Sequence, residues 1–330
     1  MSDRARARFV LGADHGRERV DKALARLLAP TSRATVQRWI AEGRVHVLGN
    51  VCRPRDVVGP GAVIDVDPGP EPTSRAEPDA AVPFDVVHED AHLIVVCKPA
   101  GIVVHPARGH RHGTLVSGLL ARPGFTVAPA DERDPEGRLR PGIVHRIDKD
   151  TSGLLVIAKD AATREGLKRQ LAYHSVSRIY HALTVGVPRS ERIETLYGRH
   201  PRSRLRFTSR LEQGKRAVTN VRVLETFHAG AAAWVECRLE TGRTHQIRVH
   251  LSERSGAPLL ADALYGTAPS HPSVRALADE LGRHALHARS LGFVHPITGE
   301  RLSFDSELPA DMSAALAALR SARDAARGAR

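Results

Sequence analysis

The chain contains 330 residues, of which 42% are hydrophobic and 26% are charged, as in ordinary folded globular proteins. That length exceeds the usual size of one domain, so we expect two folded units. An apolar run of about eighteen residues, the length that spans a bilayer, is absent, and the N-terminal MSDRARARF lacks the apolar core of a secretory signal. The sequence therefore predicts a cytoplasmic protein that does not cross a membrane.

Charge is the unusual feature of the composition. The chain has 49 Lys or Arg and 37 Asp or Glu, which gives a formal net charge of +12. Nearly all of the basic excess is Arg, whose planar guanidinium suits phosphates and base edges, so a polyanionic partner such as RNA is one interpretation. A basic protein from an Arg-favouring genome, without such a partner, is the other.

The first sixty residues hold twelve Arg or Lys and six Asp or Glu, so half of the net charge lies there. The stretch RVDKALARLLAP has helical apolar spacing and stops at its proline. Thr31 and Ser32 are candidate caps of a second helix, ATVQRWIAEG, and Gly43 suits its left-handed C-terminal position. Two β segments follow, RVHVLGNVCRP, with a tight turn from Leu48 to Asn50, and VVGPGAVIDV.

A proline-rich stretch separates this part from the rest. DPGPEPTSRAEPDAAVP, residues 67–83, contains five prolines and predicts a linker between residues 1–66 and a second domain of residues 84–310. In that domain, β-branched runs (FDVV, LIVVCK, LLVIAK, IYHALTVG, VTNVRVLE, AWVECRLE) outnumber helical patterns (AATREGLKRQLAYH, VRALADELGRHAL and the segment from Thr244). This pattern predicts an α+β domain around a mixed or antiparallel sheet. Residues 311–330, rich in Ala and Arg, are expected to form a basic helix or a fraying tail, and a solvated tail without a role is favoured.

The most informative stretch is PGIVHRIDKDTSGLLVIAKD, residues 141–160. His145, Arg146, Asp148, Lys149 and Asp150 stand in a polar loop directly before an apolar strand, where a rigid scaffold can present reactive groups. Taken alone, the loop is either a candidate active site or a salt-bridged surface turn.

A second polar cluster lies in RLETGRTHQIRVHLSE, where a strand leads through a turn into a helix. Thr241 or Thr244 is expected to cap that helix, leaving Arg243, His245 and Arg248 near its positive end, which attracts carboxylates and phosphates. A zinc site is not expected, because the two His of this stretch are five residues apart and do not share one helical face.

These motifs resemble two known families. HRIDKDTSGLL resembles HRLD-x-x-TSG-LL, the hallmark of RluA-type pseudouridine synthases, and GRTHQIRVH is similar to their later motif almost letter for letter. The family's other motifs follow in order as KPAGIVVHP from Lys98, RIYHA from Arg178, GRHP from Gly198 and DALYG from Asp262, so the resemblance covers about residues 84–308. Residues 19–47 are similar to the S4 RNA-binding module, the family's common companion.

Three features depart from the family pattern or have no role in it. Cys97 stands where Asn or Asp is common, and Arg178 replaces a frequent Lys. Both are expected to lie apart from the catalytic residues. Residues 129–140, rich in charge, are expected to form a mobile loop.

The resemblance implies isomerisation of uridine to pseudouridine in structured RNA, with Asp148 as the catalytic carboxylate. By correspondence with the family, Arg248 keeps that carboxylate ionised, and Tyr180 stacks on the uracil and assists proton removal from C5. Because a base inside folded RNA must leave its stack to enter a pocket, Arg146 is expected to fill the vacated space. His145 is expected to order the loop without acid or base chemistry.

The S4-like module is expected to supply RNA backbone contacts with a steep dependence on salt, through Arg33, Arg38, Arg44 and Arg53. The arrangement of an S4 module before this catalytic domain resembles that of a large-subunit ribosomal RNA enzyme of the family, so the resemblance makes 23S rRNA the expected substrate, with tRNA second. The protein is expected to act as a monomer.

Two other functions fit the sequence less well. A catalytically inert rRNA-binding or assembly factor is disfavoured because Asp148, Tyr180 and Arg248 are intact. A metal-dependent hydrolase, suggested by eighteen histidines, lacks a His-x-x-x-His or His-rich carboxylate pattern, and the three cysteines are widely separated. With no nucleotide or flavin motif either, neither a cofactor nor a metal is expected.

Overall fold

The computed structural model describes residues 6–29, 31, 33–69, 76–106, 112–125 and 141–328. It divides the chain into two compact units, residues 1–73 and 74–330. Three sequence predictions fall partly or wholly outside the described residues: the candidate cap Ser32, much of the linker at 67–83, and the loop at 129–140. Among the described residues, no helix combines the length and hydropathy needed to cross a membrane.

The first unit packs two helices against short strands. Its described elements are β1 (Ala7–Val10), β2 (Glu18–Arg19), α1 (Val20–Leu27), α2 (Arg33–Ala41), β3 (Val45–Val47), β4 (Asn50–Val51), β5 (Val57–Val58) and β6 (Val63–Val66). Strands β1, β6, β3 and β4 form one antiparallel sheet in that order, and β2 pairs with β5. Leu24 of α1 and Trp39 of α2 are fully buried in one apolar core with Ile64 of β6.

Left-handed residues connect these elements where the sequence predicted turns. Gly43, after α2, has a φ of 70°, and Leu48 and Gly49 between β3 and β4 have φ values of 50° and 78°. Two consecutive positive φ angles are the geometry of a tight two-residue hairpin. The predicted helix end and hairpin are therefore both present.

The second unit is built around one large sheet. Its strands are β7 (Asp85–Glu89), β8 (Leu93–Lys98), β9 (Ser152–Ala158), β10 (Ser177–Val185), β11 (Glu191–Arg199), β12 (Phe207–Thr208), β13 (Lys215–Phe227), β14 (Ala232–Leu239), β15 (Leu286–Val294) and β16 (Arg301–Asp305). Its helices are α3 (Leu115–Ala121), α4 (Ala161–Ala172), α5 (Gln246–Glu253), α6 (Pro272–Leu281) and α7 (Ala310–Gly328). The strand order is β12-β11-β13-β14-β10-β15-β9-β8-β7, with β16 also paired to β15. This topology agrees with the predicted α+β domain and mixed sheet.

Strands β8 and β9 are apolar along their length because both faces of the sheet are covered. Ile94 and Ile157 face one core cluster, whereas their neighbours Val95 and Val156 face another on the opposite side. This period of two is the ordinary alternation of side chains along a strand. The two strands thus form a rigid platform at the end of the loop that precedes β9.

The seam between β9 and β15 is the sheet's only parallel pairing among the described strands, and it is short. It joins His287 to Ser152 and Ala288 to Gly153. Gly153 has a φ of 113°, and a Cβ built on it would lie 2.3 Å from the carbonyl oxygen of Ala288. Only glycine fits at this position, because any side chain would push the two strands apart.

The C-terminal segment forms the expected helix, α7, through residue 328, but the favoured solvated tail is wrong for most of residues 311–330. Helix α7 buries Met312, Ala315, Leu316 and Leu319, which are at most 5% exposed. Their spacing of three and four residues forms an apolar stripe on one helical face. The basic residues that suggested a tail lie on the rest of the helix surface, and two of them, Arg320 and Arg323, pair with Glu225 of β13.

We predict that Gly153→Ala lowers the free energy of unfolding by more than about 2 kcal/mol, since it adds backbone strain to a clash with β15. Gly299→Ala is the matched control, because Gly299 also has a positive φ, 75°, but has open space around it. That control should lose only about 1 kcal/mol. Chemical denaturation of both variants checks this, and equal losses would show that the seam is not sterically restricted.

Candidate active site

A cavity of about 520 Å³ opens in the second unit. It is lined by the loop before β9, by β10, and by the turn that leads into α5. Five residues that the sequence singled out line it together: His145, Arg146, Asp148, Tyr180 and Arg248. They come from three segments more than thirty residues apart in the chain, so the fold, and not sequence proximity, assembles the site.

Asp148 and Arg248 form an ion pair at this cavity. Nη1 of Arg248 donates a hydrogen bond to Oδ2 of Asp148 at 3.0 Å. The other edge of the same guanidinium makes two hydrogen bonds to Asp262, from Nε and from Nη2, each of 2.8 Å. One cation is therefore shared between two carboxylates, and the bidentate pair with Asp262 fixes the direction in which Nη1 points.

Burial and charge act in opposite directions on this group. Burial would lower the pKa of Arg248, but the hydrogen bonds and negative charges of Asp262 and Asp148 outweigh it, so the pKa lies above its ordinary value. Burial would likewise raise the pKa of Asp262, but Arg248 and the backbone N–H groups of Tyr265 and Leu264 lower it overall. Both partners of the buried pair are therefore charged at neutral pH.

The loop that carries Asp148 is held at several points. Lys98 is fully buried and donates from Nζ to the carbonyl oxygens of Pro99 at 2.7 Å and Lys149 at 2.9 Å. Burial lowers the pKa of Lys98 to about 7. Arg283 donates to the carbonyl oxygen of Asp150 at 2.9 Å. These anchors, on the two residues that directly follow Asp148, limit the positions that its carboxylate can take.

His145 and Arg146 differ in their surroundings. Nε2 of His145 accepts a hydrogen bond of 3.1 Å from the backbone N–H of Val156, and burial lowers the pKa of His145 to about 3. The imidazole is thus neutral and linked to β9. Arg146 is exposed, and its Nη1 lies 3.5 Å from Nε2 of His105.

Tyr180 and Arg178 lie two residues apart on β10 and so share one face of the sheet. Both are 7% exposed and both line the cavity. Burial raises the pKa of Tyr180. The prediction that Arg178 lies apart from the candidate catalytic residues is wrong, because Arg178 lines the same cavity. Its guanidinium donates to the carbonyl oxygen of Glu240 at 3.1 Å. Gly242 makes room for it, since a Cβ there would lie 2.5 Å from Nη1 of Arg178.

The start of α5 is not capped as predicted. Neither Thr241 nor Thr244 caps it; His245 takes the cap position in a left-handed conformation, with a φ of 59° and no side-chain cap. Instead, the side chain of buried Gln246 organises the turn, accepting from Thr241 Oγ1 at 2.8 Å and from the backbone N–H of Arg243 at 3.0 Å. The prediction of a Thr cap is wrong because the buried amide oxygen of Gln246 accepts the hydrogen bonds that organise this turn.

His245, Tyr265 and Phe207 form a wall beside Asp148. Nε2 of His245 lies 3.9 Å from Oδ1 of Asp148, and its Nδ1 lies 2.9 Å from the hydroxyl of Tyr265. That hydroxyl also accepts a hydrogen bond of 2.8 Å from the backbone N–H of Phe207. The sequence assigned no site role to Asp262 or Tyr265, although both lie in the DALYG motif that it did recognise.

No described group of three or more His, Cys, Asp or Glu side chains has an arrangement that would hold a metal ion. His250 lies on the side of α5 away from the cavity. Its ring nitrogens lie 2.9 Å from the hydroxyls of Thr195 and Thr219. Its role is to fix α5 on the sheet.

The candidate RNA-binding arginines of the first unit are mostly engaged in ion pairs. Arg33 lies 3.0 Å from the buried carboxylate of Asp21, Arg38 lies 3.8 Å from Glu42, and Arg44 lies 3.1 Å from Glu42. Arg53 is exposed, and its guanidinium contacts no carboxylate within the described part of the chain. Of the four, Arg53 is therefore the one most available to an added anion.

Comparison with known families assigns both units. The family model described as RNA pseudouridylate synthase matches residues 92–253, and the S4 domain model matches residues 18–64. The chain is 44% identical over 308 residues to ribosomal large subunit pseudouridine synthase D of Neisseria meningitidis serogroup B, covering 92% of this chain and 79% of that protein. It is 41% identical to the protein of the same name from Pseudomonas aeruginosa, covering 98% and 99%.

Two further similarities extend this result. An uncharacterized RNA pseudouridine synthase of Bacillus subtilis is 42% identical over 305 residues, covering 92% of this chain and 94% of that protein. Among solved structures, human RNA pseudouridylate synthase domain containing 4 is similar with a TM-score of 0.52 and 27% identity, covering 72% of this chain and 93% of that one. The predicted family and the predicted S4 module are confirmed.

We predict that Asp262→Asn lowers the free energy of unfolding by about 3 kcal/mol or more, because it leaves a buried guanidinium with only one carboxylate. Glu194→Gln is the control, since its half-exposed carboxylate pairs with Arg192 and Arg216 at the surface. Its substitution should lower the free energy of unfolding far less, because a solvated surface pair contributes little. Urea denaturation measures both, and a small loss for Asp262→Asn would mean that Asp148 alone can balance Arg248.

Proposed function

This chain belongs to the RNA pseudouridylate synthase family, and from that premise we propose that it isomerises uridines of 23S ribosomal RNA with Asp148 as the catalytic carboxylate. It is an RNA pseudouridine synthase, and RNA is its substrate. The observation that supports the role of Asp148 most directly is its position. It is the one carboxylate among the described cavity-lining residues, 3.0 Å from a guanidinium that is itself locked in place.

The reaction sets the requirements for such a group. The bond from N1 of uracil to C1′ of the ribose breaks, the base turns within the pocket, and C5 bonds to C1′. C5 then loses its proton, and N1 gains one. The carboxylate of Asp148 serves this sequence by bonding to C1′, by removing the 2′ proton, or by stabilising positive charge on the ribose, and all three require an ionised oxygen.

Arg248 places a hydrogen-bonded cation directly against the carboxylate of Asp148. Burial alone favours a protonated carboxyl group, and a hydrogen-bonded cation reverses this preference. Nη1 of Arg248 donates its hydrogen bond to Oδ2 of Asp148. No described residue donates a hydrogen bond to the other oxygen, Oδ1, since Nε2 of His245 is 3.9 Å away. We therefore assign Oδ1 to the reaction.

Tyr180 and Arg146 are assigned to the base and to the space that it leaves. The buried ring of Tyr180 offers an apolar face for uracil, and its hydroxyl makes no hydrogen bond to a described residue, so it is available to assist proton removal from C5. Arg146 is exposed at the cavity, where a long cationic side chain can occupy the gap left by the flipped nucleotide. His145 supports the loop through Val156.

The proposed substrate rests on the relatives. Two of them are named ribosomal large subunit pseudouridine synthase D, and the match to one extends over nearly the whole of both chains. Neither an inert assembly factor nor a tRNA enzyme is favoured by these names. A protein that acts on ribosomal RNA would work in the cytoplasm, which is the location we propose. Monomeric action without a cofactor stays a prediction from the sequence.

Asp148→Asn should abolish pseudouridine formation while RNA affinity stays within about twofold, because the amide keeps the size of the side chain and loses its charge. The control is Asp150→Asn in the same loop, whose side chain does not line the cavity. It should retain most activity. Both variants are assayed by mapping pseudouridine in a 23S rRNA transcript, and normal yield from Asp148→Asn would remove the proposed mechanism.

Arg53→Ala should weaken binding to 23S rRNA and reduce the slope of log Kd against log salt by about one, the value for one lost phosphate contact. Arg8→Ala tests the background, because Arg8 pairs with Asp65 on β1 and β6 of the same unit. Filter binding across a salt series compares the two. An unchanged slope for Arg53→Ala would count against this residue as an RNA contact.

A further inference from the structure

We propose that residues 198–207, which we call the basic loop, form a second RNA-binding surface that holds the strand next to the flipped uridine. Arg202 and Arg204 bind its phosphates, and Leu205 packs on a base or ribose. The proposal rests on the function proposed above and adds to it a surface and a partner. The basic loop connects β11 to β12, and its last residue, Phe207, packs against His245, which lines the cavity.

The charge of the basic loop is all of one sign. Its sequence, GRHPRSRLRF, contains four Arg and one His and no Asp or Glu. Arg202 and Arg204 are exposed, and their guanidinium groups contact no carboxylate in the described part of the chain. On β11 and the neighbouring β13 the pattern is different, since Arg192 and Arg216 pair with Glu194 and Glu240.

This difference matters for binding a polyanion. A guanidinium that already pairs with a carboxylate must give up that pair to bind a phosphate, so its net gain is small. An unpaired guanidinium keeps the whole interaction and releases a counterion from the RNA. Arg202 and Arg204 are therefore the arginines of this sheet edge best placed to contribute to affinity.

The backbone of the basic loop is held in place before RNA binds. Nη1 of Arg199 donates to the carbonyl oxygen of Arg204 at 2.8 Å, and the backbone N–H of His200 donates to the carbonyl oxygen of Arg206 at 3.0 Å. The guanidinium of Arg199 also lies over the ring of Phe207, 4.9 Å from its centre. A fixed loop loses little conformational freedom on binding, which favours affinity.

The basic loop also lies next to the reacting carboxylate. The ring of Phe207 is 5.7 Å from that of His245 between centres, and Nε2 of His245 is 3.9 Å from Asp148. Arg206 covers the ring of Tyr265 at 5.2 Å. Three residues of chain span at most about 10 Å, so the backbones of Arg204 and Leu205 lie within that distance of Phe207, which packs against the cavity-lining His245. RNA whose uridine enters the cavity is therefore expected to run near them.

Leu205 is the apolar part of this surface. Its side chain is 77% exposed, although it is large and aliphatic and stands between two arginines. A single exposed Leu is ordinary. Leu205, however, lies on a basic loop near the cavity, where an RNA base or ribose can pack on it. Apolar side chains contact unstacked bases and sugars in many RNA and DNA complexes.

The test uses the full chain and a 23S rRNA transcript. For the double variant Arg202→Ala and Arg204→Ala, we expect Kd to rise about tenfold at ~0.1 M salt and the salt slope to fall by roughly 1.5 to 2. The rate at saturating RNA should stay unchanged, because neither side chain contacts the reacting atoms. For Leu205→Ser we expect Kd to rise about fivefold with the salt slope unchanged, since an apolar contact releases no counterions.

The control is the double variant Arg189→Ala and Arg301→Ala. Both side chains are exposed and unpaired within the described residues, and the loss of charge is the same. Arg189 precedes β11 at the end opposite the basic loop. The backbone of Arg301, on β16, lies opposite Val294, at the end of β15 away from the cavity. Kd should rise less than about threefold, the effect of general charge alone.

The outcomes separate this proposal from the function on which it rests. If the unaltered protein modifies the transcript and the basic-loop variants keep its Kd and salt slope, the basic loop is not an RNA-binding surface and the proposal is overturned. A loss in the control as large as in Arg202→Ala and Arg204→Ala would also overturn it. If the unaltered protein forms no pseudouridine, the proposed function fails independently of the basic loop. Thermal melts that match the unaltered protein confirm that the variants are folded.

Discussion

The site depends on one guanidinium shared by two carboxylates. Asp262 takes two of the donors of Arg248 and leaves Nη1 for Asp148. Because a guanidinium is planar, fixing one edge fixes the direction of the remaining donor. Asp262 is fixed in turn by the backbone N–H groups of Leu264 and Tyr265. The carboxylate that we propose as catalytic is thus positioned by a chain of contacts that begins in a buried turn.

The sheet places this chain of contacts where it is needed. The loop of Asp148 ends at the short parallel pairing of β9 with β15, which Gly153 makes possible. At the start of that seam two buried polar pairs continue the support, Thr151 with His284 at 2.8 Å and Ser152 with His287 at 2.9 Å. Burial lowers the pKa of both histidines to about 4, so they act as neutral hydrogen-bond partners at physiological pH.

Charge is distributed by function over the molecule. The cavity lining contains Arg146, Arg178, Arg243 and Arg248 against the single carboxylate of Asp148. A positive lining attracts RNA and also stabilises the one negative group within it. On the outer strands, by contrast, arginines such as Arg192 and Arg222 are neutralised by glutamates and serve the fold. The net charge of +12 therefore does not indicate by itself which arginines meet RNA.

The sequence by itself determined the family, the two-unit organisation, the mixed sheet and the residues of the recognised motifs, because motifs and apolar periodicity are local properties. It did not predict strands β11, β15 and β16, the packing of α7, the place of Arg178, or the role of Asp262. Each of these depends on contacts between distant segments. Arg178 and Asp262 become part of the site only when β10 and the turn after α5 meet the loop of Asp148, and the apolar stripe of α7 has meaning only against the surface that it covers. Tertiary structure decides such roles because burial and hydrogen bonding are set by neighbours in space.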